Sequence, residues 1–350
     1  MDKYEAVISG NITALEKHLS KRWNINKAIP QTYCTPLEIA LTNNVFESIK
    51  WLVANGVDLN SDIGSRSFNI AVKYCSESTI RYLIENGAEV IPKTITRANH
   101  CPFHEALYGE NDISIFSLIH SLGYTAKKHG GNILMLAMVD NNKPVINFFL
   151  QNGADVNFTP ENDVFHTKGS TPICYAARFS DLEVCKALVE KGADVRVSEY
   201  GKTRPYHIAL ARGDMEMAAF FKSLEPAAFH SIENKLQELK PYKLPKALLD
   251  FLQSENLRLE LRKKQNAISR ECEYIEFLHL TDVIPIKACR RKVLLLSRVV
   301  ENYESTVAII WNTKDKMIAW YDEEHNEIGN IAPFDEFISN ADDYITKALG

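Results

Sequence analysis

The densest group of side chains capable of chemistry lies around residue 322. Carboxylates and an imidazole follow a tryptophan there, and such groups can ligate a metal ion or transfer protons. Adjacent side chains in a hairpin turn point in divergent directions, so a solvated turn is the favoured interpretation and a metal site the alternative. An enzyme hypothesis would place its active site at Trp320, Asp322, Glu323 and His325.

The rest of the chain carries no recognised catalytic phrase. H-E-x-x-H, G-x-S-x-G, Walker A and G-x-G-x-x-G motifs are absent, and the ten histidines are scattered. Gly130-Gly131 is interpreted as the turn before a helix, not as a phosphate loop. The sequence therefore predicts a protein that is not an enzyme, with no catalytic residues, no cofactor and no metal.

The cysteines and the apolar runs indicate the compartment. Seven cysteines form an odd, scattered set without a C-x-x-C pair, which predicts reduced and mostly buried thiols. The first residues lack the basic and apolar regions of a signal peptide, and no run reaches eighteen apolar residues. We expect a cytoplasmic protein that does not bind a membrane.

Charge is distributed unevenly over a chain whose formal net charge is −5. The basic cluster Lys287–Arg298 has no surrounding set of aromatic residues for base stacking, so nucleic acid is not the expected partner. The segment Asp322–Asp343 holds eight acidic residues and no Lys or Arg. It is either the solvent side of a helix or an acidic surface suited to a basic protein partner.

Seven alanines within apolar helical phrases recur along the first 210 residues, at intervals of 34, 31, 35, 31, 39 and 33. A period near 33 is typical of stacked repeats, which bind partners along an extended concave face. These alanines are Ala6, Ala40, Ala71, Ala106, Ala137, Ala176 and Ala209.

The phrases around the alanines resemble the ankyrin repeat. CTPLEIAL (34–41), CPFHEAL (101–107) and STPICYAA (170–177) match its T-P-L-H-x-A pattern, and segments such as FFLQNGADVN (148–157) match its closing G-A-D-V-N. The resemblance covers roughly residues 1–224, with degenerate terminal repeats. It implies that His104 and His207 form structural hydrogen bonds between neighbouring turns.

Helix signals agree with this pattern. Proline at the first helical position needs no partner for its missing N–H, and glycine after a helix can adopt positive φ. Pro36, Pro102, Pro172 and Pro205 are predicted to begin first helices, and Gly56, Gly87, Gly123, Gly153 and Gly192 to follow second helices. The predicted fold is an α-solenoid of about seven ankyrin repeats over residues 1–225.

The period stops near Pro226, and a small α+β domain with an antiparallel sheet is predicted to follow. Residues 227–240 are predicted to form one amphipathic helix within a linker, 226–243. Alternating or β-rich runs then predict strands, and Pro333 opens a closing helix. The predicted strands are 273–278, 292–300, 306–311, 316–321 and 327–331.

Residues 244–350 resemble the SUKH superfamily of immunity proteins. The resemblance rests on Leu244-Pro245 opening a helix, on the strand and turn WYDEEHNEIGNIA (320–332), and on FDEFI (334–338). The sequence departs from the family pattern at 253–256, which lacks an N-G turn, and at 266–282, which lacks a Gly-rich acidic segment.

The two resemblances together imply a protein-binding role. SUKH domains are commonly immunity proteins that neutralise a cognate toxin in bacterial competition, and ankyrin arrays occur in the same systems. The expected function is therefore an antitoxin of a toxin-antitoxin pair, monomeric when free, whose partner is a toxin encoded nearby. The alternative is an ankyrin adaptor or effector that captures a host protein.

The partner is expected to contact the concave groove and the long loop, and the tail either adds a second contact or only caps the stack. The 39-residue interval lengthens one loop by 158–168, which includes two phenylalanines, and aromatic and arginine side chains dominate interface hot spots. Replacing Arg178 and Phe179 by alanine is predicted to weaken binding with little effect on stability. The predicted partner-binding residues are Lys73, Tyr74, Tyr108, Asp140, Phe158, Phe165, Arg178, Phe179, Arg212, Asp322, Glu323 and Glu324.

Overall fold

The computed structural model divides the chain into two compact units. The first comprises Met1–Thr159 and Glu183–Ala193, and the second comprises Pro160–Leu182 and Asp194–Gly350. The residues that the structure describes are 1–30, 32–61, 67–91, 101–109, 112–160, 167–199, 203–261, 274–297, 300–301, 306–322 and 324–348.

Up to residue 224, the described residues form helices that follow one another in pairs. Within the described ranges they are α1 (Lys3–Ile8), α2 (Ile12–Ser20), α3 (Pro36–Thr42), α4 (Phe46–Ala54), α5 (Ser67–Tyr74), α6 (Glu77–Glu85), α7 (Pro102–Leu107), α8 (Ile113–Ser121), α9 (Ala126–Val139), α10 (Lys143–Gln151), α11 (Pro172–Phe179), α12 (Leu182–Glu190), α13 (Pro205–Arg212) and α14 (Met215–Leu224). None of the described helices is long and apolar enough to cross a membrane.

The local helix signals of the sequence are confirmed. Proline occupies the beginning of α3, α7, α11 and α13, where its N–H would have no intrahelical partner. Gly56 and Gly153, which follow α4 and α10, have φ of 76° and 75°, a conformation that glycine adopts without a steric penalty.

The first unit packs its helices in rows. Helix α1 contacts α3, and each of α3, α5 and α7 contacts the next odd-numbered helix, ending at α9. This row buries Ala6, Ala40 and Ala71 completely. Their small side chains let the neighbouring helices approach closely. In a second row, α2 packs against α4, and α8 packs against both α6 and α10.

Helix α9 begins earlier than the sequence predicts. Gly130 and Gly131 lie inside it, not in a turn before it, so that interpretation was wrong. A Cβ on Gly131 would lie 2.3 Å from Cγ of Phe158, and one on Gly130 would lie 2.6 Å from the Phe149 ring. The glycines are therefore places where two aromatic rings rest on the bare helix backbone.

Gly131→Ala is expected to lower the free energy of unfolding by about 1–2 kcal/mol. Overpacking a core typically costs about 1–3 kcal/mol, and the better helix propensity of alanine offsets part of this. Thermal or urea unfolding measures the change. Lys128→Ala, at an exposed position of the same helix, is the matched control and should change stability by less than about 0.5 kcal/mol. Equal stabilities of the two variants would contradict the ring-on-backbone contact.

In the second unit, the last helix pair is joined to the residues that follow it. Helix α13 packs against α11 and α14, and Ala176 and Ala209 are fully buried. Arg204, which precedes α13, donates from Nε and Nη2 to the carboxylate of Glu225 at 2.8 and 3.2 Å. His230 Nε2 lies 2.9 Å from the same carboxylate, whose side chain is fully buried. Tyr206 Oη donates to Asp282 Oδ1 at 3.0 Å, and burial raises the pKa of this tyrosine.

The predicted single helix over 227–240 is wrong. A 3₁₀ turn spans Ala227–His230, and α15 (Ile232–Leu239) begins after it. Ser231 ends the first element and caps the second, since its hydroxyl accepts a hydrogen bond from Asn234 N. The helices that follow are α16 (Lys246–Leu252), α17 (Phe334–Ser339) and α18 (Ala341–Ala348), so the predicted closing helix is divided at Asn340.

Among the described residues of the second unit, antiparallel strands lie between α16 and α17. They are β1 (Arg258–Glu260), β2 (Tyr274–Glu276), β3 (Ile284–Ala288), β4 (Arg291–Leu295), β5 (Val300–Glu301), β6 (Thr306–Asn312), β7 (Met317–Asp322) and β8 (Glu327–Ala332). Strands β1 and β2 pair with each other, and the larger sheet has the order β3-β4-β6-β7-β8 with β5 also paired to β6.

The larger sheet has an apolar core on each face. One contains Trp311, whose Nε1 donates to Tyr242 O at 2.9 Å, together with Phe337 and Ile345. The other is small and contains Ala288, Val293, Ile310 and Ala319, all fully buried. Cys289, just after β3, donates from its N to Asn326 Oδ1, just before β8, at 3.2 Å. The contact indicates that the sheet curls around the small core, because β3 and β8 are its outer strands.

The cysteine prediction is confirmed only in part. The described cysteines are free, but burial is complete only for Cys75, Cys174 and Cys185. Cys34 is exposed, and Cys101 and Cys289 are half-buried. Burial raises the pKa of the Cys75 thiol to about 12, so this group stays protonated near neutral pH.

Candidate protein-binding surface

In the first unit, the predicted binding residues lie at the ends of the odd-numbered helices. Lys73 and Tyr74 end α5, Tyr108 follows α7, and Asp140 follows α9. These three helices pack in a row, and Tyr74 and Tyr108 are 42% and 51% exposed. Lys73 Nζ lies 5.2 Å from the centre of the Tyr74 ring, a cation–π distance. This arrangement presents aromatic and charged groups to solvent.

Phe158 has a packing role that the sequence did not reveal. It is half-buried and covers Gly131 of α9, so its ring is not free to anchor a partner. Phe165, the other phenylalanine of the long loop, lies outside the described residues.

In the second unit, Arg178 is part of a buried ion pair. Its Nη1 and Nη2 donate to the carboxylate of Glu199 at 3.1 and 2.5 Å, and Ser170 Oγ donates to the same group at 2.6 Å. The side chain of Glu199 is only 3% exposed. Burial by itself would lower the pKa of Arg178, but the hydrogen bonds to Glu199 and the charge of that carboxylate raise it above its ordinary value. The expectation that removing Arg178 would leave stability unchanged is therefore wrong.

Of the two other predicted binding residues in this unit's helices, one is exposed and the other forms a structural hydrogen bond. Phe179 is 39% exposed, and its ring centre lies 5.7 Å from that of Tyr175. Arg212 Nη1 donates to Ser180 O, which ties the end of α13 to the residue after α11. Phe179 is thus available to a partner, whereas Arg212 also has a structural bond.

The turn between β7 and β8 brings together two of the polar side chains that were expected to diverge. Asp322 is 9% exposed and accepts from His325 N at 3.1 Å, and its other oxygen lies 2.9 Å from His325 Nδ1. Glu324 is exposed, and Glu323 lies outside the described residues. Trp320 packs on Gly329, where a Cβ would lie 2.2 Å from the indole Nε1. The carboxylate of Asp322 is therefore held within its own turn.

The contact between Asp322 and His325 predicts how the stability of this turn depends on pH. The hydrogen bond from His325 N holds the pKa of Asp322 below its ordinary value, and the hydrogen bond with Asp322 raises the pKa of His325. The stabilisation from His325 is lost as pH rises through its raised pKa, and that from Asp322 is lost as pH falls through its lowered pKa. The contribution is therefore complete between the ordinary values of 3.8 and 6.5.

NMR titration of the imidazole tests this pair. The pKa of His325 should exceed that of an ordinary histidine in the wild type and should fall in Asp322→Asn. Glu324→Gln, a neighbouring charge without the hydrogen bond, should lower it less. An unchanged pKa in Asp322→Asn would contradict the contact.

Comparison with known proteins identifies the helical part. The family model for ankyrin repeats (3 copies) matches residues 4–94 and 134–228, which together are more than half of the chain. The chain belongs to the ankyrin-repeat family. The "Putative ankyrin repeat protein FPV230" of Fowlpox virus (strain NVSL) is 27% identical over 179 residues, which are 49% of this chain and 90% of the viral protein. Ankyrin repeats are protein-interaction modules and are generally non-catalytic.

Proposed function

We propose that this ankyrin-repeat protein is an immunity protein that binds and neutralises a cognate bacterial toxin in the cytoplasm. The observation that supports it best is the exposed aromatic set at the helix ends, Tyr74 and Tyr108 in the first unit and Phe179 in the second. Exposed tyrosine and phenylalanine are favourable anchors in protein interfaces. The proposed division is 1–225 for about seven repeats, 226–243 for the linker and 244–350 for a SUKH-like domain.

The residues that carry the SUKH resemblance have structural roles compatible with this proposal. Pro245 precedes α16, and Leu248 and Leu252 of that helix are fully buried in the core of the sheet. Phe334 and Phe337 of α17 belong to the same core. The strands from β3 to β8 argue against an all-helical tail of the F-box type.

Co-expression with the product of the adjacent gene tests the immunity proposal. The neighbour alone should arrest growth, and this chain should restore it through a stable complex. A harmless neighbour, or one that remains toxic beside a well-expressed chain, would reject the proposal.

A second candidate is an ankyrin adaptor or effector that captures a host protein. The similarity to a viral ankyrin repeat protein favours it. Capture of one host protein by the purified chain, lost in the aromatic variants below, together with no protection against the neighbouring gene product, would favour this candidate over immunity.

Tyr74→Ala combined with Tyr108→Ala is expected to weaken binding of the partner at least about tenfold. Truncating a buried aromatic anchor typically costs about 2 kcal/mol or more of binding energy, and about 1.4 kcal/mol is a factor of ten. Isothermal titration measures the loss. Tyr33→Ala is the matched control, because this tyrosine is 89% exposed but lies in the loop before α3. Unchanged affinity in the double variant would exclude the helix ends of the first unit as the site.

A further inference from the structure

The second unit contains a cavity of about 220 Å³ beside the last ankyrin helix pair. The residues that line it are Arg204 and His207 at the beginning of α13, Ala228 and Phe229 of the 3₁₀ turn, Asn234, Lys235 and Glu238 of α15, and 283–285 at the beginning of β3. Two of the lining side chains are cations, Arg204 and Lys235, and one is a carboxylate, Glu238. Glu225, which Arg204 binds, is a second carboxylate beside the cavity, so cations and carboxylates balance and binding of an anion depends on the donors that the two cations leave unused.

Lys235 is an unusual residue for this position. Its side chain is only 9% exposed, and its ammonium group lies 3.0 Å from Glu238 Oε2 on the same helix. Burying an ammonium group is unfavourable unless its donors are satisfied, and this pair uses one of three N–H groups. Glu238 is 50% exposed, so its carboxylate has water as an alternative partner.

Arg204 also has donors left over. Its Nε and Nη2 bind Glu225, and the side chain is 16% exposed with the Phe229 ring centre 4.7 Å from Cζ. A guanidinium group has five N–H donors, of which these two bonds use two. Within the part of the chain that the structure describes, the cavity is thus lined by two cations with unused donors.

We propose that this cavity binds the phosphate group of a small anion, held by Lys235 and Arg204. A phosphate group accepts several hydrogen bonds at once, and bonds between charged partners are roughly twice as strong as neutral ones. Lysine binds phosphate as a compact charge, and arginine adds its planar set of donors. Glu238 is the intramolecular competitor that the anion displaces from Lys235 into solvent. This site is separate from the aromatic surface proposed to bind the protein partner.

Isothermal titration of the full chain with inorganic phosphate tests the proposal. The wild type should bind, and Lys235→Met, which keeps the length but removes the charge, should raise the Kd at least tenfold. Glu238→Gln should lower the Kd, because the ammonium loses its competitor. Lys240→Met is the matched control, since this exposed lysine lies just after α15, and its Kd should equal that of the wild type.

Titration with a nucleoside monophosphate distinguishes a phosphate ester from the free ion. A nucleoside monophosphate that binds more tightly than inorganic phosphate identifies a phosphate ester as the ligand, and equal affinity identifies the free ion. No binding of either at millimolar concentration would overturn the proposal. So would a Kd unchanged in a Lys235→Met variant whose circular dichroism and melting temperature match the wild type.

Discussion

Glu225→Ala is expected to lower the free energy of unfolding of the second unit by about 3–5 kcal/mol, the largest loss among the predicted variants. The change leaves the guanidinium group of Arg204 in a largely buried position without its counter-ion, and removing one partner of a buried ion pair typically costs this much. His230 Nε2 also lies 2.9 Å from this carboxylate, so the variant changes the surroundings of a second side chain. Urea denaturation followed by circular dichroism measures the loss.

Glu233→Ala is the control for this experiment. Glu233 is exposed in the first turn of α15, a few residues along the chain, and its removal should cost less than about 1 kcal/mol. Similar losses in both variants would show that the Arg204–Glu225 ion pair contributes nothing beyond surface charge.

Arg178→Ala and Phe179→Ala are expected to separate stability from binding. Arg178→Ala should lower the free energy of unfolding by about 2–3 kcal/mol, because the buried Glu199 carboxylate loses both bonds from the guanidinium group and, among the described residues, keeps the one from Ser170. Phe179→Ala should change stability much less, because the ring is more than one-third exposed, and should weaken partner binding about tenfold.

Paired measurements of unfolding and affinity on both variants check this separation. Phe179→Leu, which keeps an apolar side chain, is the control and should retain part of the affinity. A stable Arg178→Ala variant would contradict the ion pair, and full affinity in Phe179→Ala would exclude the end of α11 from the interface.

The local part of the helical fold was predictable from the sequence. Proline at a first helical position, glycine after a second helix and alanine on a packed face each act within one turn, so Pro36, Gly56 and Ala40 gave correct signals. Ser231 was a further signal of this kind, because serine is a preferred N-cap residue, and it marks the break that the prediction missed.

Contacts between distant residues were not predictable in this way. Gly131 indicated a turn because the ring that requires it comes from Phe158, 27 residues later. Arg178 was expected to be available to a partner because Glu199, to which it donates, lies 21 residues away in the loop after α12. Strand β3 was missed because it contains Pro285, which weakens the strand signal and is tolerated here at the edge of the sheet.

The same distinction between local signals and tertiary contacts applies to the predicted binding residues. The exposure of Tyr74, Tyr108 and Phe179 followed from their place after the packed alanine of each repeat. The anchoring of Asp322 by His325 did not, because it depends on how one turn folds back on itself. The roles of Tyr74, Tyr108 and Phe179 in binding stay predictions.

The hydrogen bond from Tyr206 to Asp282 and the 2.9 Å contact of His230 with Glu225 have an evolutionary consequence. Recombination at residue 225 would take Arg204, Tyr206 and Glu225 from one parent and His230 and Asp282 from the other. A hybrid then keeps its buried polar groups satisfied only if both parents carry matching residues. The last helix pair and the tail are therefore expected to be inherited together, and diversification of such proteins is expected to proceed through surface substitutions or through recombination upstream of Arg204.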